Sequence, residues 1–236
     1  MLLFNKFRME EFKMTFPNAA NGMKKIYIAE ILALVAALCT GLMLIITAFT
    51  ISSAQSLNLS GAVTGGMFLL LFGFAAFVLL VLALIFNLIG INSAKKDESG
   101  DKRNFATAFI CVIVSICVSF VGGALSTTVP ALSTILTTAG RLLDLTATYF
   151  ILYGVSDFAE KLGKNELAEK SKAMVYKLCA LYCVSIVSNT LFSFLSSKVG
   201  MIISLLLSLI VIAFSIVYYI LYLRLIKEAG DTFASN

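Results

Sequence analysis

The stretch from Pro130 to Gly154, PALSTILTTAGRLLDLTATYFILYG, decides how the rest of the chain is read. Crossing the ~30 Å of bilayer hydrocarbon takes about 20 helical residues, so this run is long enough. Its interior holds Arg141 and Asp144. A spacing of three puts their side chains on neighbouring positions of one helix face. No other apolar run of this length has charges so far from its ends. A charge at the centre of a membrane helix costs roughly 2.5–3.5 kcal/mol on insertion scales. Arg141 and Asp144 are therefore the candidate intramembrane polar site, and two readings stand. In one, the pair is buried inside a helix bundle. In the other, Ser126–Gly140 lies outside the membrane, the span runs from about Arg141 to Lys161, and Arg141 reaches the outer headgroups.

The composition agrees with a lipid setting. Of 236 residues, 60% are hydrophobic and 13% charged, with a mean hydropathy of +0.98. A soluble domain of this size is about 25% charged. The fold class expected is all-α, a polytopic transmembrane bundle of six spans. They lie at about Ile26–Ile51, Met67–Ser93, Phe105–Leu125, Pro130–Gly154, Ala173–Leu195 and Met201–Leu225. Residues 1–25 lack the apolar core of a secretory signal, so the first run is expected as an uncleaved span. The expected division is an N-terminal segment at 1–25, a membrane domain at 26–228 and a tail at 229–236. Residues 1–16 suit a short surface helix or a loose tail, and Pro17–Gly22 a linker.

In the first span Ala29, Ala33, Ala37 and Gly41 recur every four residues. This is a candidate helix-packing stripe, since small side chains let a second helix approach closely. Glu30, beside it, suits an interfacial carboxylate near Lys24 and Lys25. The uncharged Ser52–Gly66 reads as a loop. Ala94–Asn104 reads as a solvated turn, and Val155–Lys172 as a charged connection whose helical extensions break near Gly163. Asp157–Lys161, Glu160–Lys164 and Glu166–Lys170 are all spaced by four with the acid first, the favourable order on a helix.

Orientation follows from the basic residues. Of 18, 16 fall on the side that holds both ends of a six-span chain; Lys198 lies opposite and Arg141 within a span. Lys and Arg concentrate in cytoplasmic connections, so both termini are expected in the cytoplasm of a cell membrane, most simply a bacterial one. The same distribution excludes a basic nucleic-acid face.

The chemistry available is narrow. The chain has no histidine, and its five cysteines, Cys39, Cys111, Cys117, Cys179 and Cys183, form no C-x-x-C pair. Neither a zinc set nor a disulfide framework is expected. Without H-E-x-x-H, a P-loop or a G-x-S-x-G elbow, and with Asp144 as the sole deep acid, no catalytic residue and no cofactor is expected. The function expected is a non-enzymatic accessory, regulatory or assembly component of the membrane. The alternative is a small-solute or ion transporter, or a membrane subunit energised by a partner. The partners expected are the lipid bilayer and either another membrane protein or a second copy.

The outline of a short six-span chain with Ala29, Ala33 and Ala37 in its first span resembles the substrate-binding subunits of energy-coupling-factor vitamin transporters. The resemblance covers topology and those three alanines. It implies a transport role but carries over no ligand-binding residue.

Overall fold

The computed structural model describes residues 16–55, 59–98, 103–194 and 198–234, with side chains described outside 53–62 and 185–209. These residues form six helices and one 3-10 turn. The helices are α1 (Pro17–Gln55), α2 (Leu59–Ala94), α3 (Asn104–Ala124), α4 (Pro130–Lys161), α5 (Asn165–Phe194) and α6 (Lys198–Ala234); the turn is Lys95–Asp97. The described residues are all-α, as the apolar runs of membrane length lead one to expect.

Among the described residues, five stretches are long and apolar enough to cross a membrane: Pro17–Ser52, Val63–Asp97, Asn104–Ala124, Pro130–Lys161 and Ile210–Ala234. Large apolar side chains cover their outer faces; Leu70 and Phe120 are 77% and 78% exposed. A water-soluble protein does not present such a surface at this scale, so lipid covers it and the protein is a multi-pass membrane protein. The expected span at Ala173–Leu195 extends beyond the described side chains, and the Lys198 side chain, expected opposite the other basic residues, lies outside them. Residues 1–16, expected as a surface helix or a loose tail, lie outside the described residues except for Phe16.

Several boundaries differ from the sequence expectation. Pro17–Gly22 is helix rather than linker. Pro17 opens α1, where its missing N–H costs nothing, and Ala19, Ala20 and Met23 are buried. Most of Ser52–Gly66 is helix too, because α1 runs on to Gln55 and α2 begins at Leu59. Residues 229–234 continue α6, with Ala229 and Phe233 buried. Gly163 does end the helical extension. It takes φ +69°, while Gly163 N–H donates to Glu160 O and Lys164 N–H to Ala159 O, a glycine-terminated helix end.

The chain divides into two compact units, one of residues 24–90 and one of 1–23 with 91–236. In the first, α1 and α2 form an antiparallel hairpin. The Thr50 side chain fills the space that a Cβ on Gly65 would take, and Met43 Cε lies 3.2 Å from the position of one on Gly73. Ala29 is buried, Ala33 half-buried, and Ala37 and Gly41 exposed; Ala36 is fully buried.

In the second unit α3 packs along α4, α4 along α5, and α5 along α6. Three glycines set the α3–α4 register. Gly154 faces the Phe105 ring, Gly140 faces Ser119, and Gly122 lies against Leu136 and Thr137. Two serines join facing helices. Ser115 Oγ donates to Gly140 O over 3.0 Å and Ser171 Oγ to Leu152 O over 2.7 Å. In hydrocarbon such bonds satisfy groups that water cannot reach.

Candidate functional site

At one end of the 1–23/91–236 unit, polar caps close over an aromatic core. Phe158 is its centre. It stacks on Phe16 with ring centroids 4.6 Å apart and on Phe105 at 5.4 Å, and meets Phe233 edge-on at 5.8 Å. Phe105, Phe158 and Phe233 are almost wholly buried. Gly154 is what lets Phe105 reach the α4 backbone.

The caps come from the connection after α2. Asp97 accepts from Asn18 Nδ2 at 2.7 Å and from Ala19 N–H at 2.8 Å, which satisfies a donor in the first turn of α1. Ser93 Oγ donates to Asn18 O at 3.1 Å. Glu98 accepts from Phe105 N–H at 2.5 Å and Ala106 N–H at 3.1 Å, at the start of α3. Carboxylates suit helix N-termini because orphan N–H groups and the helix dipole converge there. Burial pushes the Glu98 carboxyl above its ordinary value; the two N–H donors pull it part of the way back, and the Asp157 charge adds to the rise. Residues 94–104, expected as a solvated turn, instead supply both caps. The signal was present: two adjacent acids a few residues before an apolar run.

The charged connection is a lattice of ion pairs, half-buried at Asp157–Lys161 and exposed at the others. Asp157–Lys161 and Glu166–Lys170 form as the spacing predicts, each at 2.9 Å. Glu160 does not meet Lys164, because the helix breaks between them at Gly163. It takes Lys172 at 2.5 Å instead, and Lys170 also reaches Glu228 at 3.1 Å. Hydrogen bonds to Glu166 and then Glu228 raise the Lys170 amine above its ordinary value, and the bond to Glu160 does the same for Lys172. The Ser156 hydroxyl, 2% exposed, has no hydrogen-bond partner among the described residues.

Two open clefts lie at this end. One, of about 520 Å³, is bordered by Lys95, Glu98, Arg103 and Thr107; the other, of about 430 Å³, by Lys164, Glu166, Glu228 and Thr232. Among the described residues no group of three or more His, Cys, Asp or Glu side chains converges as a metal site.

Arg141 and Asp144 stand apart from this packed end. Both are exposed, and among the described residues no ion pair joins them to each other or to another side chain. The glycine register sets Arg141 level with Cys117–Ser119 of α3 and Asp144 level with Ser115. At 1.5 Å per residue, Arg141 lies ~9 Å and Asp144 ~14 Å from the level of Ala124. The 21 residues of α3 make a rod of ~32 Å, close to the hydrocarbon thickness. Both charges therefore sit well inside the length of α3, on an outward face. No protein-family model, curated protein or solved structure matches this chain, so the reading of its function rests on this geometry.

Proposed function

We propose that the protein is a non-enzymatic accessory or assembly component of a cell membrane, with both termini in the cytoplasm. The observation that carries this reading is the outward exposure of Arg141 and Asp144 within the length of α3. A solute path needs polar groups facing one another across an interior. A component that works by association needs them facing outward, where a protein neighbour can replace lipid. The aromatic core and its caps serve the same role by holding α3 and α4 in fixed register. The crowding of 16 basic residues on one side supports the orientation.

The rival reading is transport, alone or as a subunit energised by an ATPase. Purification of the full chain in mild detergent, followed by identification of stoichiometric companions, separates the two. The accessory reading expects integral membrane companions without nucleotide-hydrolysing subunits, and no solute flux in proteoliposomes. Recovery with an ATPase and a second membrane subunit, or flux through the purified chain, overturns it. Reporter tags on the two ends should both report the cytoplasm.

A further inference from the structure

We propose that Arg141 and Asp144 pair in trans between two copies of this chain, each α4 supplying the guanidinium that the other's carboxylate needs. The inference goes beyond the accessory reading; it shares with that reading the exposure of these two residues, but its test reads copy number and not companions or flux.

The first support is that no described side chain answers these charges. Both side chains are exposed, and neither forms an ion pair among the described residues. Their level lies well inside the length of α3, a helix long enough to span hydrocarbon, where an ionised group persists by pairing. Covering the face with apolar side chains would leave both charges unanswered.

The second support is self-complementarity. Opposite charges lie three residues apart on one helix, ~4.5 Å along its axis. A two-fold axis along the membrane normal sets two α4 helices side by side and parallel. Arg141 of each then lies one short step from Asp144 of the other, within reach of a long side chain, and two equivalent pairs form at once. Such an interface is isologous, the commonest kind in homo-oligomers. Guanidinium–carboxylate pairs can also be bidentate, which fixes the approach.

The third support is the surface leading to the pair. Ala131, Thr134 and Thr138 are exposed and spaced by three and four residues, and Arg141 follows three further on. This is the repeat of a left-handed helix–helix seam, built here from residues small enough for close approach. The threonine hydroxyls already donate within the helix, Thr134 to Pro130 O at 3.0 Å and Thr138 to Thr134 O at 2.8 Å. They bring no unanswered donors to the seam.

The test uses charge reversal in the full chain, reconstituted in liposomes at low protein-to-lipid ratio, with copies counted by single-molecule photobleaching. Wild-type protein is expected as dimers. Arg141→Asp and Asp144→Arg should each lower the dimer fraction at least tenfold, since each places like charges across the seam. Mixing the two variants, separately labelled, should restore mixed dimers to near the wild-type level, because both cross-pairs are again opposite. A pair within one chain cannot be rescued in that way. A monomeric wild type, single reversals that dimerise as well as wild type, or a mixture that does not recover would each overturn the proposal. Wild type that assembles only with a different membrane protein would overturn it too. If the single reversals insert poorly, the double reversal R141D/D144R and the neutral R141L/D144L decide. The first dimerising and the second not supports trans pairing; equal behaviour of the two overturns it.

Discussion

The helix pair α3–α4 is built differently at its two ends. Where Phe105 meets Gly154 the contact is aromatic and buried, and is tied off by the Glu98 cap and the neighbouring Asp97 clamp. Where Gly122 meets Leu136 and Thr137 the helices still touch, but the outer face of α4 carries Thr134, Ile135, Thr138, Arg141 and Asp144 exposed. One end has used its side chains to close on itself. The other keeps polar and charged side chains on its surface. Stability should therefore concentrate at the Phe158 end, and response to neighbours at the Arg141 end.

That contrast can be broken or sharpened by substitution, with thermal unfolding in detergent as the measurement. The largest loss is expected for Phe158→Ala, which removes the ring at the centre of the aromatic core, on the order of 3–5 kcal/mol. If this variant unfolds like wild type, the core is not what holds that end. Gly154→Ala comes next. Its methyl would press on the Phe105 ring, and an overpacked site costs typically ~1–3 kcal/mol. Ser156→Ala should go the other way, neutral or stabilising by about 1 kcal/mol, because it removes a buried hydroxyl without a partner. A marked loss would reveal a partner for that hydroxyl.

Glu98 gives a smaller effect with a defined sign. Its carboxyl is raised in the folded state, so folding retains a proton that the unfolded chain releases. The stabilisation is complete below the ordinary carboxyl value and is lost as pH rises through the raised one. Wild type should therefore lose melting temperature across that acidic window. Glu98→Gln, which cannot ionise, should be flatter; equal slopes would break the assignment. Least of all, Ile135→Ala at the open end, where Ile135 is 65% exposed, should change stability by under about 0.5 kcal/mol. A loss as large as that of Phe158→Ala would abolish the difference between the ends.

Much of this was legible in the residues themselves. Runs of apolar residues at bilayer length specify helices, because a backbone in hydrocarbon must satisfy its own hydrogen bonds. Gly163 ended α4 because a residue at φ +69° favours glycine. Asp157–Lys161 and Glu166–Lys170 formed because four residues is one helical turn. Where the partner lay far along the chain, the sequence was silent or misleading. Asp97 meets Asn18 and Ala19 across almost eighty residues, and neither run hints at the other. Glu160 left Lys164 for Lys172 because the turn that would have joined the first pair is interrupted. Residues 17–22 looked like a linker because their asparagines and alanines are poor in apolar bulk. They are helix because Ala19, Ala20 and Met23 are buried and Asp97 supplies the missing cap.

By itself, the sequence determined that this is a helical chain of the membrane, with two opposite charges inside one long apolar run. Those properties depend on length, hydropathy and local spacing, which each segment carries alone. Only the tertiary structure decided which glycine receives which ring, which helix ends the acids of 97 and 98 cap, and that Arg141 and Asp144 face outward. Those depend on the register between helices, which is set by packing between residues far apart in the chain.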